Sequence, residues 1–431
     1  MMKQKILLAV GLLAVLQVAE AGVRIERWQA ATGARVYFVE SRALPIVDVQ
    51  VDFAAGAAAD PADKSGLAQL TRGMMDLGAG GLDENEVAMK LADLGARLGG
   101  GADTDRASVS LRTLAMPDKR TPAFAILRSV LAEPRFDEAV FARERARTLA
   151  SLRESLTRPE TIAGRAFWSA LYGDHPYGRQ PTVDSLGRIA IDDLRAFHAA
   201  RYTARSAVVT IVGALSRAEA EALAQTLTEA LPAGEAQPAA PVVTLPAAGE
   251  QRLEHPAAQA HIHLGLPALK RGDPDFYALM VGNYTLGGGG FVSRLMKEVR
   301  DKRGFAYSVY SYFAPMKEAG PFQIGLQTKR AQARDALKVT RDVLDQFLAE
   351  GPSEDELRAA QANIVGSFPL RLDSNRKILD NVAAIAFYEL PLDYLDTYAA
   401  KIRAVTAADV RAAFARHVRP ENLMTVVVAG D

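Results

Sequence analysis

A chain of 431 residues exceeds one ordinary core, so two or more domains are expected. Lys plus Arg and Asp plus Glu are equal at 51 each, which excludes the basic excess of a nucleic-acid footprint. Cysteine is absent, which excludes disulfides, thiolate metal sites and a cysteine nucleophile, so any metal would need carboxylates and some of the six His.

The opening stretch, "MMKQKILLAVGLLAVLQVAEAG", reads as a signal peptide over 1–21. Lys3 and Lys5 give a positive start, Ile6 to Val18 is apolar apart from Gln17, and Ala19-Glu20-Ala21 fits the small-x-small cleavage rule. The apolar run is shorter than the roughly 20 residues of a spanning helix. The mature chain is therefore expected in the periplasm, with no membrane attachment after cleavage.

A first unit is expected over 22–230. "VDVQVDFAAGA" alternates and predicts a strand. "SGLAQLTRGMMDLG" predicts a helix with Ser65 as its cap, Leu67, Leu70, Met74 and Leu77 on one face, and Gly78, Gly80 and Gly81 at its end. In "DENEVAMKLADLGARLGG", Asp83 and Glu86 form a capping-box pattern ahead of the stripe Val87, Leu91 and Leu94. "ASVSLRTL" is again a strand. Residues 231–251, rich in Pro, Ala and Gly, predict a linker. A second unit follows over 252–431.

In the second unit His261-x-His263 lies on an expected strand, where both rings can share a face; ordinary strand surface is the plainer reading. His175 in "DHPYG" fits turn or packing contacts. "LGGGG" (286–290) lacks the Gly-Lys-Ser/Thr of a phosphate loop and fits either a substrate-facing turn or a helix end. Ahead of "RDKRGFAY" (300–307), Leu295, Met296 and Val299 predict a helix that stops at Gly304. "FAYSVYSYF" and "PFQIGLQTK" then predict a hairpin turning at "KEAG". Arg300 falls in the last helical turn and Tyr307 early in the strand. From the spacing alone, a solvated Arg and a strand-packing Tyr is the plainer reading of this pair.

The two units repeat each other. "FHAARYTARSAVVTIVG" (197–213) and "FARHVRPENLMTVVVAG" (414–430) share their spacing from Phe to Gly. "AILRSVLAEPRFDEAVFARERARTLASL" parallels "VTRDVLDQFLAEGPSEDELRAAQANIVGSF", each a helix, a Pro-containing break and a second helix. The expected fold is α+β: two tandem homologous repeats of about 200 residues, each a mainly antiparallel sheet covered by helices.

The segments "KSGLAQL", "LADLGARLGGGADTD", "LYGDHPYGRQP", "LGGGGFVSRLMKEVRDKRGFAYSVYSYF" and "TVVVAG", in this order and spacing, resemble the pitrilysin/insulinase-type zinc peptidases, or inverzincins. Active members carry H-x-x-E-H, two zinc-binding His four apart on a helix with a Glu that activates water. The matching positions here are Gln69, Arg72 and Gly73, and a third ligand about 76 residues further on falls near Ala150, with Glu144 and Glu154 out of register. The resemblance thus implies a degenerate zinc site and no cofactor bound by this chain. Arg72 is expected to oppose a cation there. The family's second element is an Arg and a Tyr seven apart, matched by Arg300 and Tyr307: the Arg grips substrate backbone and the Tyr hydroxyl stabilises the oxyanion. The implied role is the non-metal subunit of a two-chain zinc metallopeptidase that degrades peptides. Its partner is a homologous H-x-x-E-H chain that carries the zinc. The alternatives are a structural subunit or a peptide-binding module without a catalytic part.

Overall fold

The computed structural model describes residues 22–235, 237 and 240–430. The expected signal peptide, 1–21, lies outside the described residues.

The first half opens with strands β1 (Glu26–Gln29), β2 (Arg35–Glu40) and β3 (Ile46–Phe53). Helices α1 (Leu67–Met75) and α2 (Glu84–Asp93) lead to the hairpin β4 (Arg97–Ala102) and β5 (Ala107–Leu114). Five helices follow: α3 (Pro117–Ala132), α4 (Glu138–Ser155), α5 (Pro159–Tyr172), α6 (Val183–Arg188) and α7 (Ile191–Arg201). Strand β6 (Val208–Gly213) and α8 (Arg217–Thr228) close the half. The capping box of α2 forms as its sequence predicts, with the Asp83 side chain on the Glu86 amide and the Glu86 side chain on the Asp83 amide.

The second half repeats the plan. Strands β7 (Gly249–Glu254) and β8 (Gln259–Leu269) precede α9 (Phe276–Asn283) and two π-helical turns, Tyr284–Gly288 and Met296–Asp301. The hairpin β9 (Ala306–Phe313) and β10 (Gly320–Lys329) follows, then five helices: α10 (Ala333–Glu350), α11 (Glu354–Ser367), α12 (Asn375–Phe387), α13 (Tyr394–Ala404) and α14 (Ala407–His417). Strand β11 (Met424–Ala429) ends the described chain. Strand β7 takes in the last three residues, 249–251, of the predicted linker.

The sheet orders are β1-β2-β6-β3-β5-β4 and β7-β11-β8-β10-β9. In each sheet one parallel pair, β2 with β6 and β7 with β11, joins an otherwise antiparallel ladder. Setting β1 aside, the two orders superpose term by term, so β4 and β9 are equivalent edge strands. Strand β3 alternates as its sequence requires: Val47, Val49, Val51 and Phe53 enter the first core, while Asp48, Gln50 and Asp52 face the other side. A separate core fills the second half.

The halves interlock by exchanging one helix each. Helix α5 leaves its own half and packs Ala163, Phe167 and Leu171 against Val426 and Val428 of β11. Helix α12 returns the exchange, setting Leu379, Val382 and Ala386 on Tyr37, Val39, Val208 and Val212 of β2 and β6. Between them the hairpin tips meet: Asp105 accepts from the Tyr177 hydroxyl (2.5 Å), the Tyr388 hydroxyl (3.0 Å) and the Lys317 amide (2.8 Å).

Candidate functional site

Helix α1 is anchored by Asp60 rather than by the predicted cap Ser65. Its carboxylate accepts from the Gly66 and Ala68 amides, each at 2.7 Å, at the positive helix end. Burial pushes that carboxyl up to about 6, against the lowering effect of these same bonds. So held, α1 turns Leu67, Leu70 and Met74 inward and exposes Gln69 and Gly73 one turn apart. Across from them α4 presents Glu144, Arg147 and Thr148, and the five residues line a cavity of ≈ 240 Å³. Ala150 is not part of it; it sits on the exposed side of α4. Two residues along a helix turn the side chain by about 200°, which carries position 150 away from the cavity that position 148 faces.

These residues do not fit zinc. Gln69 offers a weak amide, Gly73 offers nothing, and Glu144 is already held by Arg143 at 3.0 Å and Arg147 at 2.6 Å. The cation in this cavity is Arg147. Arg72, expected to oppose a metal here, points elsewhere. It is buried, and its guanidinium donates to the Ser108 carbonyl (2.5 Å), the Gly99 carbonyl (2.6 Å) and Asp76 (2.8 Å). It thereby staples both strands of the β4–β5 hairpin. Gly100 lies between them at φ +114°, where an added Cβ would stand 2.1 Å from the Ser108 carbonyl and 2.9 Å from the Arg72 guanidinium.

The second predicted pair does come together. Arg300 is the penultimate residue of the π-helical turn, and its carbonyl accepts the Gly304 amide at 2.7 Å. Gly304, at φ +63°, reverses the chain into β9, which brings Tyr307 back alongside Arg300. The Arg300 guanidinium lies 5.0 Å from the Tyr307 ring centre and 4.7 Å from that of Phe291, a two-sided cation–π stack. Tyr307 is 86% exposed and makes no side-chain hydrogen bond among the described residues. Phe291 had no signal of its own in the sequence. It follows "LGGGG", which ends α9 through a π turn and a short 3₁₀ turn and leaves Phe291 and Val292 exposed.

Five of the six histidines bond to protein groups; among the described residues His261 has no such bond. His263 bonds Gln323 at 2.8 Å and packs 5.5 Å from the Phe167 ring, and burial pushes its pKa down to about 4. His175 accepts the Tyr177 amide (3.1 Å) and faces the Pro241 carbonyl (2.8 Å), which is a turn role. A cluster with no local motif, Asp273, Asp275 and His417, assembles from distant segments. Arg416 grips both oxygens of Asp275 at 2.7 Å, and His417 bonds Asp275 at 3.0 Å and the Ala268 carbonyl at 2.9 Å, so the cluster is an ion-pair network.

Comparison with known proteins gives this geometry a family. Residues 35–183 match the family described as insulinase (peptidase family M16), and residues 188–364 match the peptidase M16 inactive domain. A crystal structure of a peptidase M16 inactive domain from Pseudomonas fluorescens superposes with a TM-score of 0.91 at 37% identity, covering 94% of this chain and 98% of that one. A non-peptidase homolog, YmxG of Helicobacter pylori, is 25% identical over 398 residues, 91% of either chain. An uncharacterized zinc protease of Streptomyces coelicolor is 34% identical over 255 residues, 57% of this chain, and that match spans only 55% of the Streptomyces protein. The α+β halves, the degenerate ligand positions and these likenesses agree: the chain belongs to the insulinase-type peptidase family, M16.

Proposed function

We propose that this chain is the metal-free subunit of a two-chain zinc peptidase, exported to the periplasm after cleavage behind Ala21. A homologous partner with H-x-x-E-H holds the zinc, and the two chains enclose a chamber that admits peptides. This chain donates Arg300 and Tyr307. The observation that carries the reading is Tyr307 itself: an exposed hydroxyl on an edge strand, without a partner in its own chain among the described residues, ordered by the Arg300 stack. An idle surface Tyr needs no such ordering. A Tyr that donates to the developing oxyanion of a scissile carbonyl does, because only a preorganised donor lowers the barrier. Arg300 keeps free N–H groups for a substrate carbonyl while its face rests on the ring.

The likeness to a non-peptidase homolog favours a second reading, a structural or peptide-binding subunit with no catalytic part. The two separate in one assay. This chain, its H-x-x-E-H partner and the co-purified pair are each tested for peptide hydrolysis and zinc content. The proposal expects hydrolysis from the pair alone; full activity of the partner by itself would refute it. Intact-mass measurement of periplasmic protein tests export, with a chain starting at Gly22 expected.

A further inference from the structure

A second cavity beside α1 has a volume of ≈ 500 Å³. It opens beside Gln69 and is walled by α5 and by the segment after it. Its size is that of a ligand pocket. Its charges are two of each sign, and Arg179 lies close enough to Asp60 to lower its pKa, but neither guanidinium is ion-paired. Two carboxylates, Asp60 and Asp103, line it, and both are engaged locally. Asp60 holds the start of α1, and Asp103 accepts from the Asp105 amide (2.9 Å), the Arg106 amide (2.8 Å) and the Arg106 side chain (3.1 Å). The two cations, Arg165 and Arg179, have no carboxylate partner within ion-pair distance among the described residues. Arg165 donates to the Pro181 carbonyl at 2.6 Å and Arg179 to the Asp60 carbonyl at 3.1 Å. A carbonyl orients a guanidinium without neutralising it, and each keeps further N–H groups for a second acceptor. Burial alone lowers the Arg165 pKa, with no acid opposing it. Trp168, one turn along α5 from Arg165, supplies an aromatic wall, its ring 5.3 Å from Tyr172.

We propose that this cavity, beside the degenerate ligand positions Gln69 and Gly73, binds the carboxylate of a peptide in the chamber, with Arg165 and Arg179 as its grip and Trp168 against the neighbouring side chain. Two guanidiniums on one cavity wall offer donors for the two oxygens of a carboxylate, and partial burial strengthens the contact. The carboxylate comes from a free C-terminus or from an acidic side chain. The inference rests on the reading that peptides enter the chamber, but not on the partner's zinc or on Tyr307.

The test uses this chain alone and measures binding, so a failure of the two-chain chemistry leaves it intact. In a Trp28→Phe background Trp168 is the sole tryptophan and reports directly. A short alanine-rich peptide with a free carboxyl end is titrated against its C-terminal amide and against an amidated version carrying one internal Glu. The free acid should change Trp168 fluorescence and bind about tenfold or more tightly than the plain amide, the worth of one charge-assisted contact. Arg165→Gln and Arg179→Gln should each remove most of that preference, with Arg165→Lys restoring part of it. Recovery of binding by the internal Glu would make a side chain the source and leave the proposal standing. Affinity of the plain amide equal to that of both carboxylate-bearing peptides, or no response to either of them, would overturn it. Melting curves of the variants separate lost binding from lost fold, and the parent's preference for a carboxylate-bearing peptide over the plain amide decides whatever the variants do.

Discussion

At the scale of single residues, the degenerate metal motif is two different things. Gln69 and Gly73 face an open cavity; Arg72 is a structural strut. Its guanidinium bridges carbonyls on β4 and β5 and pairs with Asp76, whose own pKa burial raises. Arg72→Glu should therefore cost about 3–5 kcal/mol, since it removes the cation and buries a second carboxylate beside Asp76. Urea unfolding measures this, and a loss under about 1 kcal/mol would contradict the strut. Rebuilding zinc binding should leave Arg72 alone. Gly73 has open space where a Cβ would go, so Gln69→His with Gly73→His fits sterically. Adding Arg147→Ala should then free the Glu144 Oε2 oxygen as a third ligand, with Arg143 still on Oε1, and give zinc-dependent thermal stabilisation that the two-His variant lacks. Equal response of both variants would place the third ligand elsewhere. The sequence showed that His, Glu and His were missing. It could not show the register on α4, because a count along the chain carries no helical phase. That is why Ala150 came forward instead of the face bearing Glu144 and Thr148.

Among elements, amphipathic helices and alternating strands were legible wherever local pattern decides structure. The α2 capping box, the alternation of β3 and the turn from Arg300 through Gly304 into β9 all form as their residues dictate. Strand β4 was not legible. Its core, Gly99, Gly100 and Gly101, has little strand propensity, and it is held by pairing with β5 and by Arg72. The Asp60 cap was equally hidden, since it acts from six residues upstream of Gly66. Where β3 meets the exchanged α12, polar groups are buried. Asp52 accepts from Gln50 (2.9 and 3.0 Å) and lies 3.4 Å from Arg106, with Asp103 and Asp380 nearby. Burial raises its pKa to about 7, Arg106 and Gln50 opposing that. A carboxyl that holds its proton more tightly when folded contributes most below its unfolded pKa near 4, and loses that contribution as pH climbs to about 7. Asp52→Asn, a fixed mimic of the protonated form, should thus gain melting temperature relative to wild type between pH 5 and pH 8. An unchanged difference between the two pH values would show that Asp52 does not titrate in this window.

For the whole molecule, the repeat was readable because spacing survives where identity does not, and the two sheet orders match term by term. The exchange of α5 and α12 was not, since a helical stripe records that a face is buried but not against which sheet. That exchange, with Asp105 joining both hairpin tips, makes the halves one body. It fixes the Arg300–Tyr307 edge relative to the first half, as a wall that meets a partner must be fixed. The central claim is that chemistry donated by this wall acts on a site in another chain. Steady-state kinetics of the purified pair carrying Tyr307→Phe, with zinc content and complex size checked in parallel, test it most directly. The account predicts kcat lower by roughly 10²–10³ with assembly intact, because the ring and its Arg300 stack remain and only the oxyanion donor is lost. Arg300→Ala should weaken peptide binding as well as turnover. Wild-type kcat/KM in both variants, in intact zinc-loaded complex, would contradict the account and leave a structural subunit in its place.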